Sequence, residues 1–354
     1  MEKIKIAIEG CGDIARIRYF YALEKLKDKF ELVALHDNKK EKLEKISAEK
    51  GIPGYSDYDQ MISIKELDTV IVATYHPSHA DIAVRAMEAG KNVIIEKPFA
   101  TSGNDARRIV ETAKKMNVFC MPMPYEIYPI MTAAKKMIDG GAIGKVSSCD
   151  GIFAHRGPLH APWFFSKDAA IWGVMADLGI YPLGILAYLI GSFNTVSGKV
   201  ETLMPERISL EGKPIHCEVE DNAVAVLEWE NGALGTVRTN WCTAADKNGS
   251  IYYITIYGTD GVLYLNMHTH ELIIYSPKRT IKGAKKIEYL GFEESFLIDT
   301  PEYDNHIDIL KSYFTGHNSK MLKDDPDLFS RQVNIIEAIE GLYLSSKKGE
   351  VMKI

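Results

Sequence analysis

The fold is decided by residues 3–15, which read K3-I4-K5-I6-A7-I8-E9-G10-C11-G12-D13-I14-A15. An apolar strand pattern runs up to Gly10, and a helical pattern follows Ala15. A strand, a Gly-x-Gly-x-x-Ala turn and a helix in this order are typical of dinucleotide binding. Gly10 permits the tight turn, and Gly12 lets the backbone approach a pyrophosphate. The N–H groups at the helix start favour such an anion.

Asp37 follows the second predicted strand, which covers residues 31–35. An acid at this offset typically binds the ribose hydroxyls of NAD, and its charge repels the 2′-phosphate of NADP. The sequence therefore favours NAD. Lys39 and Lys40 leave NADP open as the alternative, because either ammonium group can bind a phosphate.

Strands and helices alternate as far as residue 124, which predicts a doubly wound parallel sheet covered by helices on both faces. From residue 125 onward strands dominate, and Asn231-Gly232 and Asp260-Gly261 are hairpin signals between strand pairs. We therefore expect an α/β protein with an N-terminal Rossmann domain at 1–124. Residues 125–354 should form an α+β domain with a large, mostly antiparallel open sheet.

The second predicted sheet has one face packed by an apolar helix and another that needs a cover. We expect a second subunit to cover it, giving a homodimer or homotetramer, with strands 218–229 and 233–242 contributing. Helices are predicted at 304–314 and 327–345. Packing of these helices back on the Rossmann domain is left open.

Charge, hydropathy and cysteine content argue against several kinds of partner and location. The chain has 354 residues, 42 Lys plus Arg, 48 Asp plus Glu and a net charge of −6, which gives no support for nucleic acid as a partner. Residues 171–191 are long enough to span a membrane, but Asp177 and Pro182 predict a buried helix instead. Five scattered cysteines and a charged start at residues 2–5 favour a reduced, cytoplasmic protein without a signal peptide.

Four motifs occur in a specific order along the chain. They are G10-C11-G12-D13-I14-A15, A73-T74 with P77-S78-H79-A80, E96-K97-P98, and D177-L178-G179-I180-Y181. Together they resemble the glucose–fructose oxidoreductase/inositol dehydrogenase/rhizopine catabolism (Gfo/Idh/MocA) family over nearly the whole chain. The resemblance implies a Rossmann domain, a C-terminal open sheet, and oxidation of a sugar, polyol or related hydroxyl with NAD or NADP.

The resemblance also implies a set of cofactor-binding residues. They are Gly10, Cys11, Gly12, Asp13, Ile14, Asp37, Ala73, Thr74, His76, His79, Glu96 and Lys97. Two positions depart from the common family pattern. Tyr181 occupies the position at which histidine is most frequent in the family. The glucose–fructose oxidoreductase and dihydrodiol/xylose dehydrogenase branch also has tyrosine there. Tyr75-His76 replaces a proline-asparagine pair near the nicotinamide ribose.

The resemblance implies Lys97, Tyr181 and Asp177 as the catalytic residues, and hydride transfer also needs a group that handles a proton. Tyr181 should carry that proton, with its phenolate favoured by the Lys97 ammonium. His155 and His160 remain rival proton carriers. The predicted substrate-binding residues are Lys97, Tyr125, His155, Arg156, Trp163, Asp177 and Tyr181.

Two further expectations concern metal and reaction type. His268 and His270 alternate on a predicted strand without a third ligand nearby, so we expect no metal site. The leading function is a dehydrogenase. The alternative is a lyase or glycosidase that oxidises its substrate transiently with tightly bound NAD.

Overall fold

The structure is a computed structural model that describes residues 2–125, 128–243, 250–277, 285–289, 292–298, 305–316 and 327–354. The chain forms two compact units. The first unit comprises Met1–Pro124 and Asp304–Val333, and the second comprises Tyr125–Tyr303 and Asn334–Ile354. Asp304, at which we predict a terminal helix to begin, lies outside the described residues.

The first unit contains a six-stranded sheet in the order β3-β2-β1-β4-β5-β6. Its strands are β1 (Ile4–Glu9), β2 (Phe30–His36), β3 (Gly54–Tyr55), β4 (Thr69–Val72), β5 (Asn92–Ile95) and β6 (Cys120–Pro122). Every described pairing in this sheet is parallel, which confirms the predicted doubly wound arrangement. The strand order reverses between β1 and β4, and ligands of such sheets bind at the carboxyl ends next to this point.

Helices connect the strands of the first unit. They are α1 (Phe20–Lys25, preceded by a π-helical turn at Ala15–Tyr19), α2 (Lys40–Lys50), α3 (Tyr58–Ile62), α4 (His79–Glu88, preceded by a 3₁₀ turn at His76–Ser78), α5 (Gly103–Met116) and α9 (Asn305–Gly316). Helix α9 returns to this unit from late in the chain. Its Tyr313 stacks on Phe119 with ring centroids 4.9 Å apart and hydrogen-bonds Thr69 at 2.7 Å.

The second unit contains a ten-stranded sheet in the order β16-β17-β15-β14-β13-β7-β12-β11-β8-β18, and a separate pair β9-β10. The strands are β7 (Val146–His155), β8 (Phe193–Glu201), β9 (Glu206–Ile208), β10 (Pro214–His216), β11 (Asn222–Trp229), β12 (Leu234–Asn240), β13 (Ser250–Gly258), β14 (Val262–Asn266), β15 (Glu271–Tyr275), β16 (Lys285–Tyr289), β17 (Phe292–Ile298) and β18 (Met352–Lys353). Both predicted hairpins, β11–β12 and β13–β14, are antiparallel. The sheet is mixed, because β7 and β12 pair in parallel.

The helices of this part of the chain are α6 (Pro129–Asp139), α7 (Lys167–Ala170), α8 (Ile180–Ile190, preceded by a π-helical turn at Met175–Gly179) and α10 (Leu328–Lys348). Helix α8 packs closely on β7 at Gly151, where an added Cβ would lie 2.9 Å from Pro182 Cβ. The helical stretch Lys167–Ile190 is long enough to span a membrane, and its most apolar 18 residues have a mean hydropathy of 1.6. Since 83% of its most apolar part is buried in the protein, it fits the buried core helix predicted from the sequence.

The face of the sheet on strand β11 opposite Ala223, Ala225 and Leu227 carries exposed apolar side chains. Val224 is 38% exposed and Val226 49% exposed, whereas the alternating residues of the same strand are buried. Leu234 on the paired strand β12 is 57% exposed. These three residues are called the outer apolar face below.

Candidate active site

Two glycines shape the turn after β1. Gly10 has φ +94° and an added Cβ would lie 2.4 Å from the Ala73 carbonyl oxygen. A side chain is therefore excluded at Gly10 by the backbone that follows β4. At Gly12 an added Cβ would meet nothing within 4 Å, so this glycine faces open space at the start of a helical segment. That surface fits a dinucleotide pyrophosphate, which needs close approach to backbone N–H groups.

Asp37 is 5% exposed and ties the turn to the end of β2. Its Oδ2 accepts from Cys11 N at 2.9 Å, and its Oδ1 accepts from Lys39 N at 2.9 Å. Lys42 forms an ion pair with the same carboxylate. Sequence reasoning did not single out Lys42, although it lies in the first turn of α2 after the predicted acid.

The lysines after Asp37 have separate partners. Lys39 Nζ lies 5.9 Å from the ring centroid of Tyr75, and Lys40 pairs with Glu44 at 3.7 Å. Lys42 partly neutralises the carboxylate that should repel a 2′-phosphate. The preference for NAD over NADP stays a prediction.

The segment after β4 is held from behind by His79, which is buried in α4. Its Nδ1 lies 2.9 Å from Pro98 O and its Nε2 lies 3.0 Å from Thr74 O. Burial lowers the pKa of His79, although both carbonyls favour the protonated ring. His79 thus joins the two segments predicted to contact the cofactor, and neighbouring His76 is also buried. Direct cofactor contacts of these histidines stay predictions.

Glu96 and Lys97 follow β5, next to the turn after β4. Glu96 is buried, and its Oε1 accepts from the Tyr19 hydroxyl at 2.8 Å and faces His306 Nε2 at 3.4 Å. Lys97 N donates to Glu96 Oε2 at 3.1 Å, and the Lys97–Pro98 peptide bond is cis. Glu96 therefore anchors the segment that carries Lys97 to the helix after the glycine turn.

A second buried pair lies beneath the turn. His36 Nδ1 and Glu9 Oε2 are 2.5 Å apart at the ends of β2 and β1, and both residues are less than a tenth exposed. Burial pulls the pKa of His36 down, but the hydrogen bond and charge of Glu9 outweigh it, so the pKa is raised. His36 O also accepts from Gly10 N at 2.9 Å.

In the second unit, Asp177 lies in the π-helical turn before α8 and is 6% exposed. Its Oδ2 accepts from Trp241 Nε1 at 3.2 Å, which fixes one carboxylate oxygen. Tyr181 lies one turn later, in the first turn of α8. The spacing predicted to place both side chains on one helical face is therefore present.

Tyr181 is surrounded by aromatic rings. Its centroid lies 5.5 Å from Tyr125, 5.7 Å from Phe153 and 6.4 Å from Tyr252. Phe153 and Tyr252 are opposite each other on β7 and β13, and their rings stack at 4.2 Å. We call Tyr125, Phe153, Tyr181 and Tyr252 the aromatic cluster. Sequence reasoning missed Phe153 and Tyr252.

His155 adjoins the aromatic cluster, with its ring centroid 5.8 Å from that of Phe153. Its Nδ1 lies 2.8 Å from Gly157 N, which is a donor, so Nδ1 accepts and the neutral ring carries its proton on Nε2. His160 is exposed. The structure thus brings one of the two rival histidines beside the rings around Tyr181.

Arg156 and Trp163 are the remaining predicted substrate-binding residues. Trp163 stacks on Phe164 at 3.8 Å, and Arg156 is exposed. Substrate contacts of Arg156 and Trp163 therefore stay predictions.

Among the described residues, no group of three or more His, Cys, Asp or Glu side chains could hold a metal ion. His268 instead hydrogen-bonds Ser250 at 2.9 Å. The prediction that the protein uses no metal stays a prediction.

Two family models match the chain. The Gfo/Idh/MocA oxidoreductase family model, described as an NAD-binding Rossmann fold, matches residues 4–123, and its C-terminal domain model matches residues 131–264. The chain belongs to the Gfo/Idh/MocA family. The glycine turn, the E96-K97-P98 motif and the motif around Asp177 all lie within the matched residues.

Among curated proteins, the chain is 30% identical over 233 residues to levoglucosan dehydrogenase of Pseudarthrobacter phenanthrenivorans, covering 60% of this chain and 58% of that protein. It is 26% identical over 288 residues to scyllo-inositol 2-dehydrogenase (NAD⁺) of Bacillus subtilis, covering 80% and 78%. The solved structure of a levoglucosan dehydrogenase with NADH and L-sorbose superposes with a TM-score of 0.83 at 22% identity, covering 99% of both chains. That likeness shows the shared fold.

Proposed function

We propose that this chain is an NAD(P)-dependent dehydrogenase of a sugar, polyol or related cyclic hydroxyl compound. The main support for this substrate class is the aromatic cluster around Tyr181, which lies one helical turn from the Asp177 carboxylate that Trp241 anchors. Aromatic faces suit the C–H faces of a sugar ring, and a carboxylate accepts hydrogen bonds from its hydroxyl groups. The two relatives named above act on compounds of this class by their names.

Bound NAD supplies the acceptor for a hydride from the carbon that carries the hydroxyl. The glycine turn of the first unit would hold the pyrophosphate, and Asp37 would accept from a ribose hydroxyl with its remaining lone pairs. The Tyr181 phenolate oxygen would take the hydroxyl proton during oxidation, and the phenol would return it during reduction. Asp177 orients a second hydroxyl, and Lys97 supplies positive charge at the reacting oxygen.

The function is tested by detecting retained cofactor with native mass spectrometry and then screening sugars and polyols for NADH formation. We expect stoichiometric NADH formation with at least one polyhydroxylated ring. Product formation without net NADH would instead support the lyase or glycosidase alternative. Absence of turnover across the screen, with NAD binding intact, would contradict the proposed substrate class.

We also propose NAD as the preferred cofactor and a cytoplasmic location, with a small molecule as the substrate. Preference for NAD is supported by the buried Asp37 carboxylate and opposed by its pairing with Lys42. Titration of the protein with each cofactor measures the preference. Equal or tighter binding of NADP would contradict it.

A second copy of the chain is the proposed cover of the outer apolar face, giving a homodimer or a dimer of dimers. Val224 and Val226 are two residues apart on β11, so both side chains lie on the same face of the sheet. Two apolar side chains on one face suit a self-complementary contact. Sedimentation should show a dimer or larger assembly, and Val226→Lys should shift it toward monomer. Ile208→Lys, at a 59% exposed apolar residue on β9, is the matched control. A monomeric wild-type protein at micromolar concentration would contradict the proposal.

A further inference from the structure

A buried carboxylate lies beside residues 173–175, which lead into the helical segment that carries Asp177 and Tyr181. Glu220 is 7% exposed, and its Oε2 accepts from Gly173 N at 3.0 Å. Its Oε1 accepts from Met175 N at 3.3 Å and from the hydroxyl of Tyr343. Among the described residues, these donors are all neutral, so no cation offsets the cost of burying the charge.

Glu220 contacts the backbone of residues 173–175, which directly precede Asp177. Val174 N donates to Glu220 O at 3.0 Å, and Asp177 N donates to Gly173 O at 3.1 Å. An added Cβ at Gly173 would lie 2.0 Å from Glu220 O. The segment that precedes β11 and the start of the helical segment are therefore in direct backbone contact, and residue 173 must be glycine for that contact.

We propose that Glu220, assisted by Tyr343, is a positioning residue that fixes the start of the helical segment and, through it, Asp177 and Tyr181. The inference rests on the function proposed above. Both backbone N–H groups donate to the carboxylate. They belong to the first residues of the helical segment, where no preceding helix carbonyl can accept from them. A shift of this segment would displace both catalytic side chains together.

The charge of Glu220 depends on pH near neutrality. Burial raises its pKa to about 7, although the Tyr343 hydroxyl and the two N–H groups favour the charged form. The titratable group facing it is Tyr343 from α10, whose own pKa is raised by burial and by Glu220. The neighbouring Asp221 carboxylate accepts from Arg207 Nη2 at 2.7 Å instead. The Tyr343 hydroxyl and the two N–H groups favour the carboxylate over the acid, so these hydrogen bonds should strengthen as pH rises through 7, although burial of the charge lowers the stability of the whole fold.

The test compares Glu220→Gln and Tyr343→Phe with the wild type. A displacement of about 1 Å typically costs on the order of 10²-fold in rate, so we expect that loss of turnover in Glu220→Gln. NAD affinity should stay unchanged. The wild-type turnover should rise with pH around 7, and this limb should be absent in Glu220→Gln. Tyr343→Phe removes a donor that favours the carboxylate, so it should move the limb to higher pH.

Amide hydrogen exchange gives a readout that does not depend on activity. The amides of Gly173 and Met175 should exchange at least about tenfold faster in Glu220→Gln. Glu228→Gln is the matched control, because Glu228 lies on β11 and accepts from Thr195 Oγ1 at 3.2 Å. It should change neither exchange at residues 173–175 nor the pH profile.

The outcomes separate this proposal from the proposed function. Unchanged exchange at Gly173 and Met175 in Glu220→Gln overturns the positioning role, whatever the activity. A wild type without turnover on any sugar or polyol contradicts the proposed function, and exchange then decides the positioning role alone. If Glu220→Gln fails to fold, Tyr343→Phe decides, and an unshifted pH limb with unchanged exchange overturns the proposal.

Discussion

The glycine turn of the first unit and the aromatic cluster of the second differ in what creates them. The turn depends on the backbone: Gly10 has no room for a Cβ, and the N–H of Cys11 is held by Asp37. The aromatic cluster depends on side chains from distant parts of the chain, such as Tyr125, Phe153 and Tyr252, that meet through sheet pairing and the packing of α8. The first kind of site should fail when a side chain is added, and the second when a single functional group is removed.

The largest effect is expected for Tyr181→Phe. The substitution deletes the phenol oxygen and keeps the ring, so the edge-to-face contacts with Tyr125 and Phe153 should survive. Loss of the proton carrier should lower kcat by roughly 10²–10⁴-fold. Affinity for NAD, measured by titration, should barely change, because the glycine turn is untouched.

Tyr125→Phe removes a phenol oxygen from the same cluster and shows how specific the effect is to Tyr181. Lys97→Met should also lower kcat, and its combination with Tyr181→Phe should not lower it by the product of the two losses. Near-normal kcat in Tyr181→Phe on the true substrate would transfer the proton role to another residue. His155, beside Phe153, would then be tested first.

Gly10→Ala and Gly12→Ala should separate folding from cofactor binding. At Gly10 the new Cβ meets the Ala73 carbonyl in a backbone conformation that alanine rarely adopts. Strain of this kind costs of order 1–3 kcal/mol before the clash is added, so Tm should fall. At Gly12 the new methyl enters open space, so Tm should hold while NAD binding weakens. A stable Gly10→Ala protein with normal NAD affinity would contradict the assigned geometry.

The sequence predicts the first unit well because its signals are local. Continuous apolar runs and regular alternation identify β1, β4 and β5, and the parallel sheet follows from their spacing. The second sheet is predicted less completely. Hairpin signals identify neighbours such as β11 and β12, but the parallel pairing of β7 with β12 joins strands far apart in sequence. Strands β8, β16 and β17 were not predicted.

The candidate site divides in the same way. The sequence signals Gly10, Gly12 and Asp37 by residue type and offset, but the pairing of Asp37 with Lys42 depends on how α2 begins. Phe153 could have been predicted from the sequence, because the two-residue period of a strand places it on the same face as His155. Tyr252 carried none, because only the register of β13 against β7 brings it to Phe153.

A smaller effect is expected for Asp37→Ser, which changes cofactor choice. Removing the carboxylate deletes the charged acceptor for a ribose hydroxyl and leaves the Lys42 ammonium without its partner. Hydrogen bonds to charged groups contribute about 1.5–3 kcal/mol, so the NAD-to-NADP affinity ratio should fall by roughly tenfold to hundredfold. Lys42→Met should raise the ratio.

Asp28→Ser removes an exposed acid of the same unit, which pairs with Lys29, and should leave the affinity ratio unchanged. Isothermal titration with both cofactors gives the comparison directly. An Asp37→Ser protein that keeps the wild-type ratio would show that the acid acts on the turn alone, through Cys11 N.

The smallest effect concerns His36, beneath the glycine turn, and it appears as a pH dependence of stability. The folded protein raises the pKa of His36 above its usual 6.5, so folding is favoured by the proton it holds. This stabilisation is complete below pH 6.5 and is lost as pH rises through the raised value. His36→Gln should flatten the fall of Tm across that interval.

Both His36 and Glu220 have raised pKa values, so both make stability fall with rising pH, but in different intervals. The Glu220 interval runs from 4.5 to about 7, whereas the His36 interval begins at 6.5. Tm should therefore respond to His36→Gln mainly above pH 6.5 and to Glu220→Gln mainly below 7. His216→Gln is the matched control, because His216 pairs with Glu206 at 2.7 Å on the surface, where solvent screens the pair. If Tm depends on pH in the same way in the wild type and in His36→Gln, the proton held by the buried Glu9–His36 pair contributes nothing to folding.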